Sequence, residues 1–193
     1  MSKDQTNHGG ANSEGNSDEA KERGKETNAD VHRDGPYAFE SRQFPGVYLR
    51  MDGRDVRQFE GNGSGIVNAQ FTAGSWEYFY IRRQERGTVA IESAAFPNVF
   101  LRMDGRDVVA HVDDGAGVVN CQASAGPYEL FRIREEEDDV VTLESAEFPG
   151  VYLRLDGTGV TSKSDDGGGT VNCQFEAGPW ERFRKIRRTH NSE

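Results

Sequence analysis

Three sets of polar and aromatic residues recur along the chain at a fixed interval, and their side chains are the ones best suited to binding chemistry. Each set holds an aspartate before a glycine, an asparagine after a valine and an aromatic ring shortly after a glycine: Asp52, Asn68 and Trp76; Asp104, Asn120 and Tyr128; Asp156, Asn172 and Trp180. Carboxylates and amides are hydrogen-bond partners for hydroxyl groups, and a ring offers a flat apolar face. The pattern predicts a binding module for a hydroxyl-rich ligand such as a carbohydrate, with up to three related sites. The alternative is structural: the aspartate closes a turn, the asparagine satisfies loop backbone and the ring seals the end of the domain.

Two pairs of adjacent aspartates, each followed by glycine, supply further candidates. Asp113-Asp114-Gly and Asp165-Asp166-Gly are matched by Gly61-Asn62-Gly earlier in the chain. We expect Asp114 and Asp166 to contribute to the sugar sites of the second and third sets, with solvated turns as the alternative. A calcium site needs about six to eight oxygen ligands, and the motif lacks the spacing of the known calcium-binding loop.

The remaining reactive residues do not form a catalytic pattern. Three of the four histidines lie near the ends of the chain, and His111 has no nearby nucleophile in the sequence. Metal-ligand clusters, phosphate-binding loops and dinucleotide motifs are also missing from the sequence. We therefore expect no enzymatic activity and no cofactor. Cys121 and Cys173 occupy equivalent positions that should face apart, so we expect two buried thiols, no disulfide and a cytoplasmic location.

The elements that position these residues come from an internal repeat of 52 residues. FESRQFPGVYLRMDGRDV from Phe39 is followed by IESAAFPNVFLRMDGRDV from Ile91 and LESAEFPGVYLRLDGTGV from Leu143. The copies span residues 39–90, 91–142 and 143–188. Short β-branched and aromatic segments between Gly, Pro and Asp predict four strands a copy. In the second copy we place them at 89–93, 99–102, 108–112 and 128–133, with a glycine-containing stretch around 118–122 between the last two.

Three nearly equivalent copies without a polar cap favour a closed array over an open stack. Propellers usually need about four blades or more. The sequence therefore predicts an all-β fold, a β-trefoil with pseudo-threefold symmetry and about twelve strands, over residues 37–188. Residues 1–36 contain no Phe, Tyr, Trp, Leu or Ile, so we expect a disordered polar tail there.

The repeated residues also carry a family resemblance. The series Glu-Ser, Tyr/Phe-Leu-Arg, Asp-Gly, Val-Asn-Cys/Ala-Gln and Trp/Tyr-Glu-x-Phe resembles the fascin-like branch of the β-trefoils. The FPGVYLR segment resembles the units of arabinofuranosidase-type (AbfB-like) carbohydrate-binding modules. The resemblance implies a trefoil and two alternative functions, namely carbohydrate binding or a protein interaction such as actin binding.

Charge and hydropathy narrow the range of partners. The chain has a formal net charge of -10, and its acidity extends into the repeats. Because phosphate contacts dominate nucleic-acid affinity, an acidic chain without a basic block is not expected to bind nucleic acid. No apolar run approaches the roughly 20 residues of a membrane span. The expected partner is a glycan or polysaccharide, or alternatively a protein such as actin.

Overall fold

The computed structural model describes residues 33–189, so most of the predicted tail lies outside the described residues. The first strand begins at Arg33, before the predicted boundary at residue 36. Residues of this early part pair with a later strand, Arg33 with Arg82 and Asp34 with Ile81. Backbone pairing to the barrel therefore orders a segment whose composition alone resembles that of the tail.

The described residues form twelve β-strands and four short 3₁₀ helices. The strands are β1 (Arg33–Ser41), β2 (Val47–Asp52), β3 (Ile66–Phe71), β4 (Tyr78–Arg83), β5 (Val89–Ser93), β6 (Val99–Asp104), β7 (Val118–Ala123), β8 (Leu130–Glu135), β9 (Val140–Ser145), β10 (Val151–Asp156), β11 (Thr170–Phe175) and β12 (Phe183–Arg187). The 3₁₀ helices span Ser75–Glu77, Glu85–Gly87, Pro127–Glu129 and Pro179–Glu181. The all-β prediction and the number of strands are confirmed.

Six strands close into an antiparallel barrel, and the other six form three hairpins beside it. Pairing runs in a ring from β1 to β4, β5, β8, β9 and β12 and back to β1. The hairpins are β2–β3, β6–β7 and β10–β11. Ring closure leaves the barrel without a free edge. Its core contains four fully buried phenylalanines: Phe39, Phe79, Phe131 and Phe183.

Two of the predicted strand positions in the second copy are wrong. The segment 108–112 is a loop and not a strand. Val108 is buried, whereas Val109 is 78% exposed. The strand is instead β7, which pairs with β6 over its whole length. The strand predicted from Tyr128 begins at Leu130, since the preceding residues form a 3₁₀ helix that starts at Pro127. Proline has no backbone N–H to donate to a strand ladder.

Both cysteines are free and buried, as expected. Burial raises the pKa of each thiol to about 12. The Sγ atom of Cys121 lies 3.6 Å from the carbonyl oxygen of Asp52, and that of Cys173 lies 3.7 Å from the carbonyl oxygen of Asp104. Each thiol therefore packs where one copy of the repeat meets another.

Candidate functional site

One cleft lies beside each of the three repeated aromatic rings. The Trp76 cleft has a volume of about 440 Å³, the Tyr128 cleft about 160 Å³ and the Trp180 cleft about 210 Å³. All three rings are half-buried. They precede β4, β8 and β12 and belong to the 3₁₀ helices, so strand alternation does not determine which way they face.

A buried arginine and a buried glutamate form the floor of each cleft. The Nε–Oε1 distances are 3.9 Å for Arg50–Glu77, 3.7 Å for Arg102–Glu129 and 4.0 Å for Arg154–Glu181. The other carboxylate oxygen accepts a backbone N–H from the preceding glycine, as Gly178 does to Glu181 at 2.7 Å. Burial raises the pKa of all three glutamates. The carboxylates therefore hold the local backbone and the arginine in place.

Each aromatic ring is fixed by an arginine and a phenylalanine. The Cζ atoms of the buried arginines lie 4.6 Å from the centroid of Trp76, 5.0 Å from that of Tyr128 and 4.3 Å from that of Trp180. The rings also meet Phe96, Phe148 and Phe44 edge-on, with centroids 5.4, 5.1 and 5.5 Å apart. Packing of this kind gives the rings a structural role and leaves part of each ring open to its cleft.

The predicted aspartates differ in how fully they are engaged. Asp52 accepts two hydrogen bonds from the side chain of Arg54, at 2.7 and 3.0 Å, and Asp104 is held in the same way by Arg106. These hydrogen bonds lower the pKa of both carboxyl groups. Asp156 has a threonine at the matching position and accepts only its backbone N–H, at 3.0 Å; the backbone N–H groups of Arg54 and Arg106 make the equivalent bonds to Asp52 and Asp104. Two of the three predicted aspartates thus bind an arginine of their own turn.

The predicted asparagines tie one copy of the repeat to a loop of another. The Nδ2 atoms of Asn68, Asn120 and Asn172 donate to the carbonyl oxygens of Asp166, Asn62 and Asp114, at 2.8, 2.7 and 2.9 Å. Arg50 adds a bond of 2.9 Å to the carbonyl oxygen of Asp165. The asparagines therefore bind loop backbone, as expected under the structural alternative for these positions.

Asp114 and Asp166 lie beside clefts other than those predicted for them. Asp166 lines the Trp76 cleft of the first copy. Asp114 lies at the third copy, where its carbonyl oxygen is bound by Asn172. The sequence could not place them, because the loop that carries each aspartate crosses to a neighbouring copy. Both side chains are exposed.

Three cleft residues that the sequence did not single out occupy one repeated position. Phe59 lines the Tyr128 cleft, His111 the Trp180 cleft and Lys163 the Trp76 cleft. They are spaced by 52 residues, and their side chains have nothing in common chemically. The sequence signal for these residues is that the three copies, which are otherwise closely alike, carry a different type of side chain at this position.

Metal-binding clusters and membrane-spanning helices can be assessed over residues 33–189. Within residues 33–189, no group of three or more His, Cys, Asp or Glu side chains is arranged to hold a metal ion. In the same part of the chain, no helix has the length and apolarity to cross a membrane.

Comparisons with known proteins relate the chain to others through its fold. No protein-family model matches the sequence, and no curated protein matches it. ThreeFoil, a designed threefold symmetric protein, has a TM-score of 0.60 at 14% identity, with 80% of this chain and 100% of that chain covered. The C-half of an earthworm R-type lectin, solved in complex with GalNAc, has a TM-score of 0.51 at 10% identity, with 80% and 100% covered.

A third similar structure belongs to a much larger protein. A mosquitocidal holotoxin has a TM-score of 0.59 at 11% identity, with 79% of this chain covered. The chain spans only 17% of the toxin's length. At such identities the likeness concerns the fold, and it places this all-β barrel with its three hairpins among the β-trefoils.

Proposed function

We propose that the protein is a non-catalytic carbohydrate-binding module with up to three related sites, one for each 52-residue copy. The observation that carries the proposal is the recurrence of a half-buried ring in a cleft whose outer wall comes from another copy. Hydroxyl-rich ligands are bound through such ring faces together with a few polar groups at fixed positions. The structural likeness to an R-type lectin solved with GalNAc adds support.

The backbone bonds across the copies favour binding sites that are formed before the ligand arrives. Gln70, Gln122 and Gln174 each bind the backbone of a loop from another copy, at Ser164, Glu60 and Val112. The loop is thus held through its main chain, and its side chains are free to face the cleft. A preformed cleft reduces the entropy lost on binding.

The non-catalytic part of the proposal rests on the floor of the clefts. A glycosidase needs one carboxyl group as acid and another as base or nucleophile, both within reach of the bond. The buried glutamates have raised pKa values, but their oxygens are engaged by a glycine N–H and lie near an arginine. We therefore expect no release of reducing sugar from bound polysaccharides.

Polysaccharide affinity electrophoresis and GalNAc-agarose chromatography test the proposal. We expect retention of the wild-type protein in native gels that contain galactomannan, arabinoxylan or soluble chitin derivatives, or on the GalNAc column. Glu137→Gln, in the exposed loop between β8 and β9, is a control that should bind equally well. Lack of retention on every matrix, with a native near-UV circular dichroism spectrum, would contradict carbohydrate binding.

Actin binding is the competing outcome of the same experiments. A protein that binds none of the glycans but sediments with filamentous actin would fit the fascin-like alternative.

The proposal also includes a cytoplasmic location, which the two free, buried thiols support. Fractionation of the source cells tests that location directly.

A further inference from the structure

The third copy departs from the other two in the turn after its second strand. Arg54-Asp55 and Arg106-Asp107 follow the repeated Asp-Gly of the first two copies, whereas Thr158-Gly159 follows it in the third. A long cationic side chain is therefore replaced by a short one at one of the three clefts.

The missing arginine changes what covers the aromatic ring. The Cζ atom of Arg54 lies 4.8 Å from the centroid of Trp76, and that of Arg106 lies 5.9 Å from the centroid of Tyr128. Within residues 33–189, the one guanidinium over Trp180 is that of the buried Arg154. A ligand at Trp180 therefore has no surface arginine to displace from the ring.

Because Thr158 stands where the other copies have an arginine, the carboxylate of Asp156 lacks the partner that Asp52 and Asp104 have. The side chains of Asp52 and Asp104, which bind Arg54 and Arg106, are 10% and 14% exposed. The side chain of Asp156 is 27% exposed and lies 3.9 Å from Arg154. Asp156 thus combines an accessible carboxylate with a nearby open ring, and hydroxyl groups of a sugar are suitable donors to it.

A groove lies close to this site, between the first and third copies. It has a volume of about 470 Å³ and is lined by Phe44, Pro45, Thr158 and Val160 among others. Phe44 also contacts Trp180 edge-on, so this phenylalanine lies between the groove and the Trp180 cleft. Two concave surfaces on either side of one phenylalanine suit a ligand of more than one sugar unit.

The charge around the cleft restricts the ligand. Asp113 lines the Trp180 cleft, and Asp114 and Asp156 lie beside it. His111 lies 3.9 Å from Asp113 and carries a positive charge only when protonated. Repulsion from these carboxylates disfavours uronic acids and sulfated sugars.

We propose that the Trp180 cleft, together with the groove at Thr158, is the principal ligand site, and that it takes a neutral oligosaccharide. In this view Arg54 and Arg106 occupy the corresponding positions of the other two clefts as internal competitors. The inference rests on the carbohydrate-binding function proposed above. The Trp76 cleft is larger, but Arg54 and Lys163 line it, and Arg54 is held over the ring by Asp52.

Two pairs of variants test the assignment by affinity electrophoresis in galactomannan, arabinoxylan and polygalacturonate. Thr158→Arg should weaken retardation by the neutral polysaccharides about tenfold or more, because Asp156 can hold the new arginine over Trp180. Gln84→Arg adds the same charge on an exposed turn between β4 and β5 and should leave binding unchanged. Trp180→Ala should remove most of the retardation. The matched Trp76→Ala, which also loses an edge-on phenylalanine contact, should reduce retardation far less.

The outcomes separate this proposal from the one on which it rests. A wild-type protein that binds none of the polysaccharides refutes both. The choice of cleft is overturned if Thr158→Arg still binds the neutral polysaccharides. It is also overturned if Trp76→Ala and Trp180→Ala weaken binding equally. Both results leave the carbohydrate-binding function itself intact. Retardation by polygalacturonate as strong as that by galactomannan overturns the ligand class. Near-UV circular dichroism of each variant identifies any loss that comes from unfolding.

Discussion

The loop that carries Val112 is held by a side chain from another copy, and cutting that link should loosen it selectively. Gln174 donates from Nε2 to the carbonyl oxygen of Val112 at 2.5 Å and accepts the Val112 N–H at 3.1 Å. Its own neighbour Phe175 donates to the same Oε1 at 3.0 Å. Gln174→Leu keeps the approximate size of this buried side chain and removes all three bonds.

The size of the effect follows from the bonds lost. A typical hydrogen bond contributes about 0.5–1.5 kcal/mol net, so the two bonds to the loop amount to roughly 1–3 kcal/mol. Val112 is 48% exposed, so water can replace part of what the loop loses. We therefore expect the free energy of unfolding, measured in urea, to fall by about 1–2 kcal/mol.

Hydrogen exchange at single amides provides the sharper assay, because the chain contains its own controls. The Glu60 N–H donates to Gln122 at 2.9 Å and the Ser164 N–H donates to Gln70 at 3.0 Å, in the same arrangement as Val112. In Gln174→Leu, exchange at Val112 should accelerate by about tenfold or more, since about 1.4 kcal/mol corresponds to a factor of ten. Exchange at Glu60 and Ser164 should stay unchanged.

Two results would refute this reasoning. An unchanged Val112 amide would mean that something other than Gln174 holds the loop. Equal acceleration at all three amides would mean that the variant destabilises the whole domain without a local effect. If the loop loosens as expected, ligand binding at the Trp180 cleft should weaken too, because His111 and Asp113 belong to the same loop.

Three further predictions concern thiols, pH and packing. At pH 8 the native protein should not react with a thiol reagent, since burial raises the pKa of both cysteines to about 12; guanidinium should expose two thiols a chain. Wild type should be more stable than Glu181→Gln below the ordinary glutamate pKa of about 4.5, and this advantage should fall as the pH rises to 7. The reason is that burial raises the pKa of Glu181 in the folded protein, so folding favours its neutral form. An advantage that grows with pH would contradict this. Gly65→Ala should destabilise by about 1–3 kcal/mol, because its Cβ would overlap Sγ of Cys121; Gly61→Ala, with open space around it, should be neutral.

The barrel could be predicted from the sequence because its determinants are local and repeated. Phe79, Phe131 and Phe183 recur at one position, and each is fully buried in the core. The strands that carry them begin shortly after a glycine, and alternation brings Phe79 and Ile81 to the same side. Both residues are buried, as that alternation requires.

The loops could not be placed by the same reasoning, because their pairing depends on residues far away in the chain. Val108 to Val112 has a strand-like composition, yet the backbone of Val112 binds Gln174 rather than a neighbouring strand. Likewise, Asp166 lies beside Trp76 because Asn68 binds the carbonyl oxygen of Asp166, a link across 98 residues. The period of the repeat indicates which residues are equivalent, but it does not indicate which copies touch.

The way the loops are held explains how the clefts can differ on a common frame. The side chains that hold each loop, an arginine, an asparagine and a glutamine, recur in all three copies. They bind main-chain atoms, as Gln122 does at Glu60 and Gln174 does at Val112. A main-chain bond is indifferent to the side chain of the residue that makes it. The residues of the loop can therefore change with little cost in stability, so Phe59, His111 and Lys163 can differ at one position of the clefts while the same holding residues keep each loop in place.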